Sequence, residues 1–204
     1  MTTTLRTRHT SATLLEASKL DIALDPALRP LWSGARLAGP AYTVQGVQGD
    51  NLALHNAVAA APAGHVLVAD LGGGAFGHWG EVLAVAAMAR GLLGLVIDGA
   101  VRDSAEQAEL GFPVFSRGIA IRGTAKRYPG VLGKPVLVGG VVVRTGDLVV
   151  GDADGLVAVP AQHRQTALDA ADRRVEHEAR IISELATGRT TIELLGLDPA
   201  GDSD

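Results

Sequence analysis

The chain contains no cysteine, which excludes disulfides and thiolate metal centres and leaves the compartment open. It carries a net charge of −4 and no basic run, so nucleic acid is not expected as a main partner. MTTTLRTRHT leads into no long apolar segment; neither a signal peptide nor a membrane span is expected, and cytoplasm is the default location. The six histidines, at 9, 55, 65, 78, 163 and 177, show no paired H-x-x-x-H spacing and read as structural or solvated. His78 is the exception, because it adjoins a candidate anion site. Asp152-Ala153-Asp154-Gly155 lacks the remaining ligands of a calcium loop and reads as a turn. What is present is apolar matter: 204 residues at 47% hydrophobic content suffice for one domain with a substantial core.

The periodicities predict an α/β fold. A short helix over 11–18 is opened by a Ser or Thr cap, and Pro26, Pro30 and Gly34 mark a loop. RLAGPAYTVQGV reads as a strand interrupted at Gly39-Pro40, DNLALHNAVAAA as a helix and HVLVADL as a buried strand. EVLAVAAMAR, residues 81–90, is apolar nearly all round and is expected to be buried against a sheet. GLLGLVID reads as a parallel strand ending at Asp98, followed by a helix over about 103–110. Short β segments follow from PVFSRG to GLVAVP. A long helix over 161–187 is stopped by Gly188; its stripe of Leu168, Ala171, Val175, Ile182 and Leu185 suits packing on the body, or else on a second subunit. The architecture is therefore a central mixed sheet covered by helices with a smaller β layer, swivelling β/β/α-like, in a single domain over 1–204 with 1–10 and 189–204 as peripheral tails.

Chemistry concentrates in Gly77-His78-Trp79-Gly80-Glu81 and in Asp98-Gly99-Ala100-Val101-Arg102-Asp103. A helix start leaves free N–H groups that can hold a carboxylate, here those of residues 80–83. Arg102 and Asp103 follow a strand end, where ligands of open α/β sheets bind. Blander readings stand beside this one: Glu81 complements a helix dipole, and Arg102 with Asp103 forms a surface ion pair or a helix cap.

WGEVLAVAAMARGLLGLVIDGAVRD resembles the signature of the 4-hydroxy-4-methyl-2-oxoglutarate aldolase family, which also contains the regulator of ribonuclease activity A. An acid, twenty intervening positions and Arg-Asp recur here as Glu81 and Arg102-Asp103, although the pattern is often written with aspartate at the first position. GARLAGPAYTV, GDNLALHNAV, GFPVFSRG and VVVRTGDLVVGDADGLVAVP resemble other blocks of the family, so the likeness covers roughly residues 10–188. The resemblance implies that Arg102 binds a pyruvyl carboxylate and that Asp103 ligates a divalent metal, magnesium or manganese. It further implies that N–H groups from Gly80, Glu81, Val82 and Leu83 complete the anion site, that Glu81 acts through a water as acid or base, and that Asn51 and Lys126 line the site. Trimers or hexamers are implied as well, with a glutamate such as Glu184 or Glu193 entering from a neighbour.

The activity so implied is metal-dependent class II cleavage of 4-hydroxy-4-methyl-2-oxoglutarate or 4-carboxy-4-hydroxy-2-oxoadipate to pyruvate and a keto acid, with oxaloacetate decarboxylation as a side reaction. A lone carboxylate with several waters is a common way for magnesium to bind. Three rivals remain. Gly72-Gly73-Gly74-Ala75-Phe76-Gly77 with Asp98 satisfies a dinucleotide fingerprint, though three residues separate the last glycine from the helix. A Schiff-base aldolase would have to use one of only three lysines, Lys19, Lys126 or Lys134. Some family members bind ribonuclease as regulators without catalysis, and those lack the full acid and Arg-Asp set that this chain keeps.

Overall fold

The computed structural model describes residues 8–198. In chain order the elements are α1 (Ser11–Ser18), β1 (Arg29–Pro30), β2 (Leu37–Gln45), α2 (Leu52–Ala60), β3 (Val66–Asp70), α3 (Glu81–Ala89), β4 (Gly94–Val101), α4 (Ser104–Leu110), β5 (Val114–Ile119), β6 (Val131–Leu132), β7 (Val136–Val138), β8 (Val141–Val143), β9 (Leu148–Gly151), β10 (Leu156–Val159), α5 (Arg164–Leu185) and α6 (Thr191–Leu195). The sheet runs β1-β5-β4-β3-β2-β9-β10, with β6 paired to β2. Strands β2 to β5 are parallel to their neighbours in this order, whereas β1, β6, β9 and β10 are antiparallel. The mixed sheet and long C-terminal helix agree with expectation, and the β7–β8 hairpin is the smaller β layer.

Three apolar clusters hold these layers together. Leu54, Leu67, Leu95 and Ile97 pack under α2 and α3. Val66, Val68, Val96 and Phe115 meet Val136, Val138 and Val143 of the hairpin on the other face. At the far end, Leu148, Val150 and Val157 pack against α1 and the first half of α5 through Leu14, Ala167 and Ala171. Both β3 and β4 are flanked on two faces, which explains their uninterrupted apolar sequences.

Several sequence boundaries shift. Strand β2 runs unbroken through Gly39-Pro40: residues 37–40 pair with β9 and residues 41–45 with β3, so the proline falls where the strand changes partners. A Cβ on Gly39 would stand 2.7 Å from Leu93 Cδ1, so a larger residue there would have to displace that side chain. Strand β4 continues to Val101 past a register shift between Ile97 and Ala100, which places Asp98 inside the strand. Helix α3 is not buried all round: Leu83, Ala84 and Ala87 face the core, while Val82 is 75% exposed and Val85 and Met88 lie at the surface, since the sheet covers only one side. The α5 stripe likewise packs only through Ala167, Ala171 and Leu168, with Val175 and Ile182 exposed.

The assigned tails are also partly built. Arg8 pairs with Asp172 and Thr10 caps α1; residues 1–7 and 199–204 lie outside the described part. Helix α6 is opened by a capping box in which the Thr190 side chain accepts from Glu193 N–H while the Glu193 carboxylate accepts from Thr190 N–H. The T-T-I-E spacing was the signal for it. Glu184 is paired with Arg189. Among the described residues, no helix is long and apolar enough to cross a membrane.

Two buried carboxylates tie the layers. Asp98 accepts from Arg117 Nε at 2.5 Å and Nη2 at 2.9 Å and from Gly139 N–H at 3.2 Å, joining sheet to hairpin. Asp152 accepts from Ser11 N–H at 2.8 Å and Ser11 Oγ–H at 2.7 Å, joining β9 to α1. Burial alone pushes each carboxyl pKa up, but these donors outweigh it and hold both below the usual value. Each group therefore binds a proton less readily folded than unfolded, so its stabilisation is present above about pH 4 and is lost as pH falls through the folded-state pKa. Arg117→Ala is expected to cost about 2–3 kcal/mol, somewhat under the ~3–5 kcal/mol of a fully buried pair, and to flatten the acid limb of stability; urea midpoints from pH 3 to pH 7 measure both.

Candidate functional site

The loops after β2, β3, β4 and β5 meet at the carboxyl edge of the parallel strands around a cavity of about 330 Å³. Its wall includes Asn51, Gly80, Val82, Leu83, Arg102 and Lys126, six of the residues singled out from sequence. Glu81 and Asp103 adjoin the wall without forming part of it.

Asp103 organises the mouth. It occupies the N-cap position of α4 with φ 55° and ψ 47° and makes no side-chain bond to that helix. A left-handed conformation costs a non-glycine residue about 1–3 kcal/mol. Its effect is to turn the carboxylate across to α3, where Oδ2 accepts from Glu81 N–H at 3.0 Å and lies 3.5 Å from Arg102 Nε. The cap reading thus holds for the wrong helix: Asp103 caps α3. One N–H of the expected anion cradle is consumed in this way. Among the described residues, those of Gly80, Val82 and Leu83 have no recorded acceptor.

Gly80 is fixed by the same contact. Its φ of −148° suits any residue, but a Cβ would sit 2.2 Å from Asp103 Oδ2 and 3.1 Å from Arg102 Nε. Arg102 is anchored through its backbone, donating N–H to Trp79 O at 2.8 Å and accepting from Gln107 Nε2 at 2.6 Å. Half of its side chain remains open to solvent, so the guanidinium is held at the mouth without being spent. The Glu81 side chain is exposed and, among the described residues, its carboxylate makes no hydrogen bond or ion pair.

The opposite wall is strapped together by Asp50 and His78. Asp50 accepts from Leu52 N–H at 2.9 Å and Arg127 N–H at 2.6 Å; burial works against its ionised form, but these donors prevail and its pKa is lowered. Asn51 N–H to Ala125 O and Ala125 N–H to Gly49 O pin the segment after β5 alongside, bringing Lys126 to the cavity. His78 is fully buried, its Nε2 accepting from Gly49 N–H at 3.0 Å and its Nδ1 lying 3.3 Å from Ala100 O. Burial pushes its pKa down, which keeps the ring neutral. Its ring is therefore a structural tie, although the residue also lines the cavity beside the anion site.

Two features were missed. His55, in the first turn of α2 four positions beyond its N-cap Asn51, lines the cavity, and burial, with Lys126 nearby, lowers its pKa. Asn51 donates Nδ2–H to His78 O at 3.0 Å, yet its Oδ1, in a residue only 8% exposed, has no partner. A buried acceptor left open beside a cavity costs about 1–3 kcal/mol and suits a ligand that donates a hydrogen.

The rivals fare differently. Asp98, needed by a dinucleotide reading to hold a ribose, is committed to Arg117 and Gly139 and lies inside β4; residues 78–80 separate the glycines from α3. Lys126 is exposed, whereas amine nucleophiles work from buried pockets. Among the described residues no three His, Asp or Glu side chains cluster as a metal cage. A hard ion needing one carboxylate, waters and ligand oxygens still fits Asp103, whose Oδ1 carries no recorded bond.

Comparison with known proteins agrees with the fold and with the family resemblance. The model of the RraA-like Aldolase/RraA family matches residues 11–158. A protein of Halalkalibacterium halodurans provisionally named as a 4-hydroxy-4-methyl-2-oxoglutarate aldolase is 38% identical over 159 residues, 77% of this chain and 76% of its own. A crystal structure of an uncharacterised Pseudomonas syringae protein superposes with a TM-score of 0.84 at 29% identity, covering 94% of this chain and 91% of the other. The RNA-processing inhibitor RraA from Thermus thermophilis superposes at 0.68 with 29% identity, covering 76% and 94%. On the strength of the matched span, this chain belongs to the Aldolase/RraA family.

Proposed function

We propose that the protein is a divalent-metal-dependent class II pyruvate aldolase that cleaves a 4-hydroxy-2-oxo acid such as 4-hydroxy-4-methyl-2-oxoglutarate or 4-carboxy-4-hydroxy-2-oxoadipate, with oxaloacetate decarboxylation as a side reaction. The observation that carries this reading is the junction of Asp103, Arg102 and the start of α3 at one cavity mouth. Arg102 and the open N–H groups of Val82 and Leu83 bind the substrate carboxylate. Asp103 holds magnesium or manganese, which when bound supplies Lewis-acid stabilisation of the negative charge that grows on the keto oxygen.

Glu81, working through a water, takes the proton from the C4 hydroxyl. The C4 oxygen becomes a carbonyl, the C3–C4 bond breaks, and its electron pair passes into a pyruvate enolate that is then protonated at C3. Asn51 Oδ1 accepts from a substrate hydroxyl, and Lys126 with His55 faces the distal part of the substrate. The apolar surface of Val82 and Val85 beside Glu81 is covered in a homotrimer or hexamer. Inhibition of RNA processing, the activity named for the Thermus relative, is the second reading; it would use that same uncovered surface and no metal.

A panel of 2-oxo acids assayed for pyruvate release with magnesium and with EDTA tests the assignment, and turnover that survives EDTA would defeat it. Arg102→Ala is expected to raise KM about 10- to 100-fold, the value of a charge-assisted contact of ~1.5–3 kcal/mol. Asp103→Ala should abolish metal dependence, and Glu81→Gln should lower kcat about 10²- to 10⁴-fold with little change in KM. Wild-type kinetics in all three would end the proposal. Gly80→Ala should leave the thermal midpoint within a few degrees, roughly the effect of less than 1 kcal/mol, yet expose the Glu81 amide to faster hydrogen exchange and cut activity, because its methyl displaces the Asp103 carboxylate.

A further inference from the structure

A second and larger cleft, of about 520 Å³, lies at the opposite, amino-terminal edge of the parallel strands. Its walls come from the segments leading into β2, β4 and β5, together with the last turn of α3. Met88, Leu92, Leu93 and Phe112 make one side apolar, and Arg36 stands at the rim. Arg36 is exposed and, among the described residues, has no hydrogen-bond or ion-pair partner. Arg8, also on the rim, is already paired with Asp172. The one carboxylate in the wall, Asp152, has its oxygens engaged by Ser11 N–H, Ser11 Oγ–H and Asp154 N–H, which spread its charge into protein donors rather than leave it bare in the cleft. An apolar wall with an adaptable thioether and one uncommitted guanidinium matches a small amphipathic anion: a carboxylate on a hydrocarbon body.

The floor of this cleft is wired to the first cavity. The Phe112 ring stacks on Trp79 at 6.0 Å between centroids and 16° between planes. Trp79 is fully buried, its carbonyl accepts Arg102 N–H at 2.8 Å, and the next residue is Gly80. Helix α3 makes the same connection, with Val82 and Leu83 in the wall of one cavity and Met88 in that of the other, about 8–9 Å apart along the helix. We infer that this cleft is a second ligand site for an amphipathic carboxylate, and that its occupancy braces Phe112 against Trp79 and thereby the start of α3.

Both tryptophans of the chain report on it, because Trp32 Nε1–H donates to Phe112 O at 3.1 Å while Trp79 stacks on the ring. Octanoate titrated into the full chain, without substrate or metal, is expected to give a saturable change in intrinsic fluorescence. Acetate, lacking the hydrocarbon, and 1-octanol, lacking the charge, should give none at the same concentrations. Arg36→Glu, at an exposed position, should weaken octanoate binding about 10- to 100-fold, as expected for loss of a charge-assisted contact, and Met88→Glu should weaken it similarly. Hydrogen exchange at the amides of residues 79–83 should slow when octanoate is bound. A linear fluorescence response, an equal response to 1-octanol, or an affinity untouched by Arg36→Glu overturns the site; saturable binding with unchanged exchange at 79–83 overturns the linkage. Neither readout involves turnover, so the outcome is separate from that of the aldolase assays.

Discussion

The single hydrogen bond from Glu81 N–H to the Asp103 carboxylate holds two strand ends and two helix starts in one geometry. It requires Asp103 to adopt a left-handed backbone, Gly80 to lack a side chain and Arg102 to be tethered to Trp79 O. Each requirement carries a cost that the surrounding sheet must absorb, and β3 and β4, buried on both faces, are the most rigid supports available. Strain at a polar mouth, stabilised by a dry interior, is the pattern expected where function selects geometry over stability.

A carboxylate at a helix start would ordinarily be a capping device. Here it serves α3 from a neighbouring connection, which leaves Asp103 partly exposed with one oxygen uncommitted and puts a guanidinium beside it. The opposite wall is organised by different chemistry: neutral His78 and ionised Asp50 tie loops together so that Asn51, His55 and Lys126 face the same space. One side of the cavity thus presents a strained carboxylate and a guanidinium at the mouth, while the other is closely hydrogen-bonded through Asp50 and His78.

The sequence made the architecture readable because its strongest signals are local. Alternation and unbroken apolar runs marked β3 and β4, and the spacing of Glu81 to Arg102-Asp103 survived folding because a helix and a strand of fixed length lie between them. What escaped was non-local. Strand β4 appeared to stop at Asp98 because a bulge and a buried ion pair with Arg117 have no signature in the run itself. The outer side of α3 read as core, since apolar sequence does not say how many sides are covered. The reach of Asp103 to another helix depends on one backbone dihedral, and the orphaned Oδ1 of Asn51 on a contact with His78 that is 27 residues away.

Strand β2 has a mechanical consequence of its own. Its first four residues belong to the antiparallel end with β9, and its last five to the parallel body with β3. The hand-over at Pro40 makes it a shared spine between the β9–β10 end and the connection that carries Gly49, Asp50 and Asn51. The antiparallel end and the loop that carries Asn51 therefore hang on one continuous strand, and a change of register at either pairing would alter the placement of both.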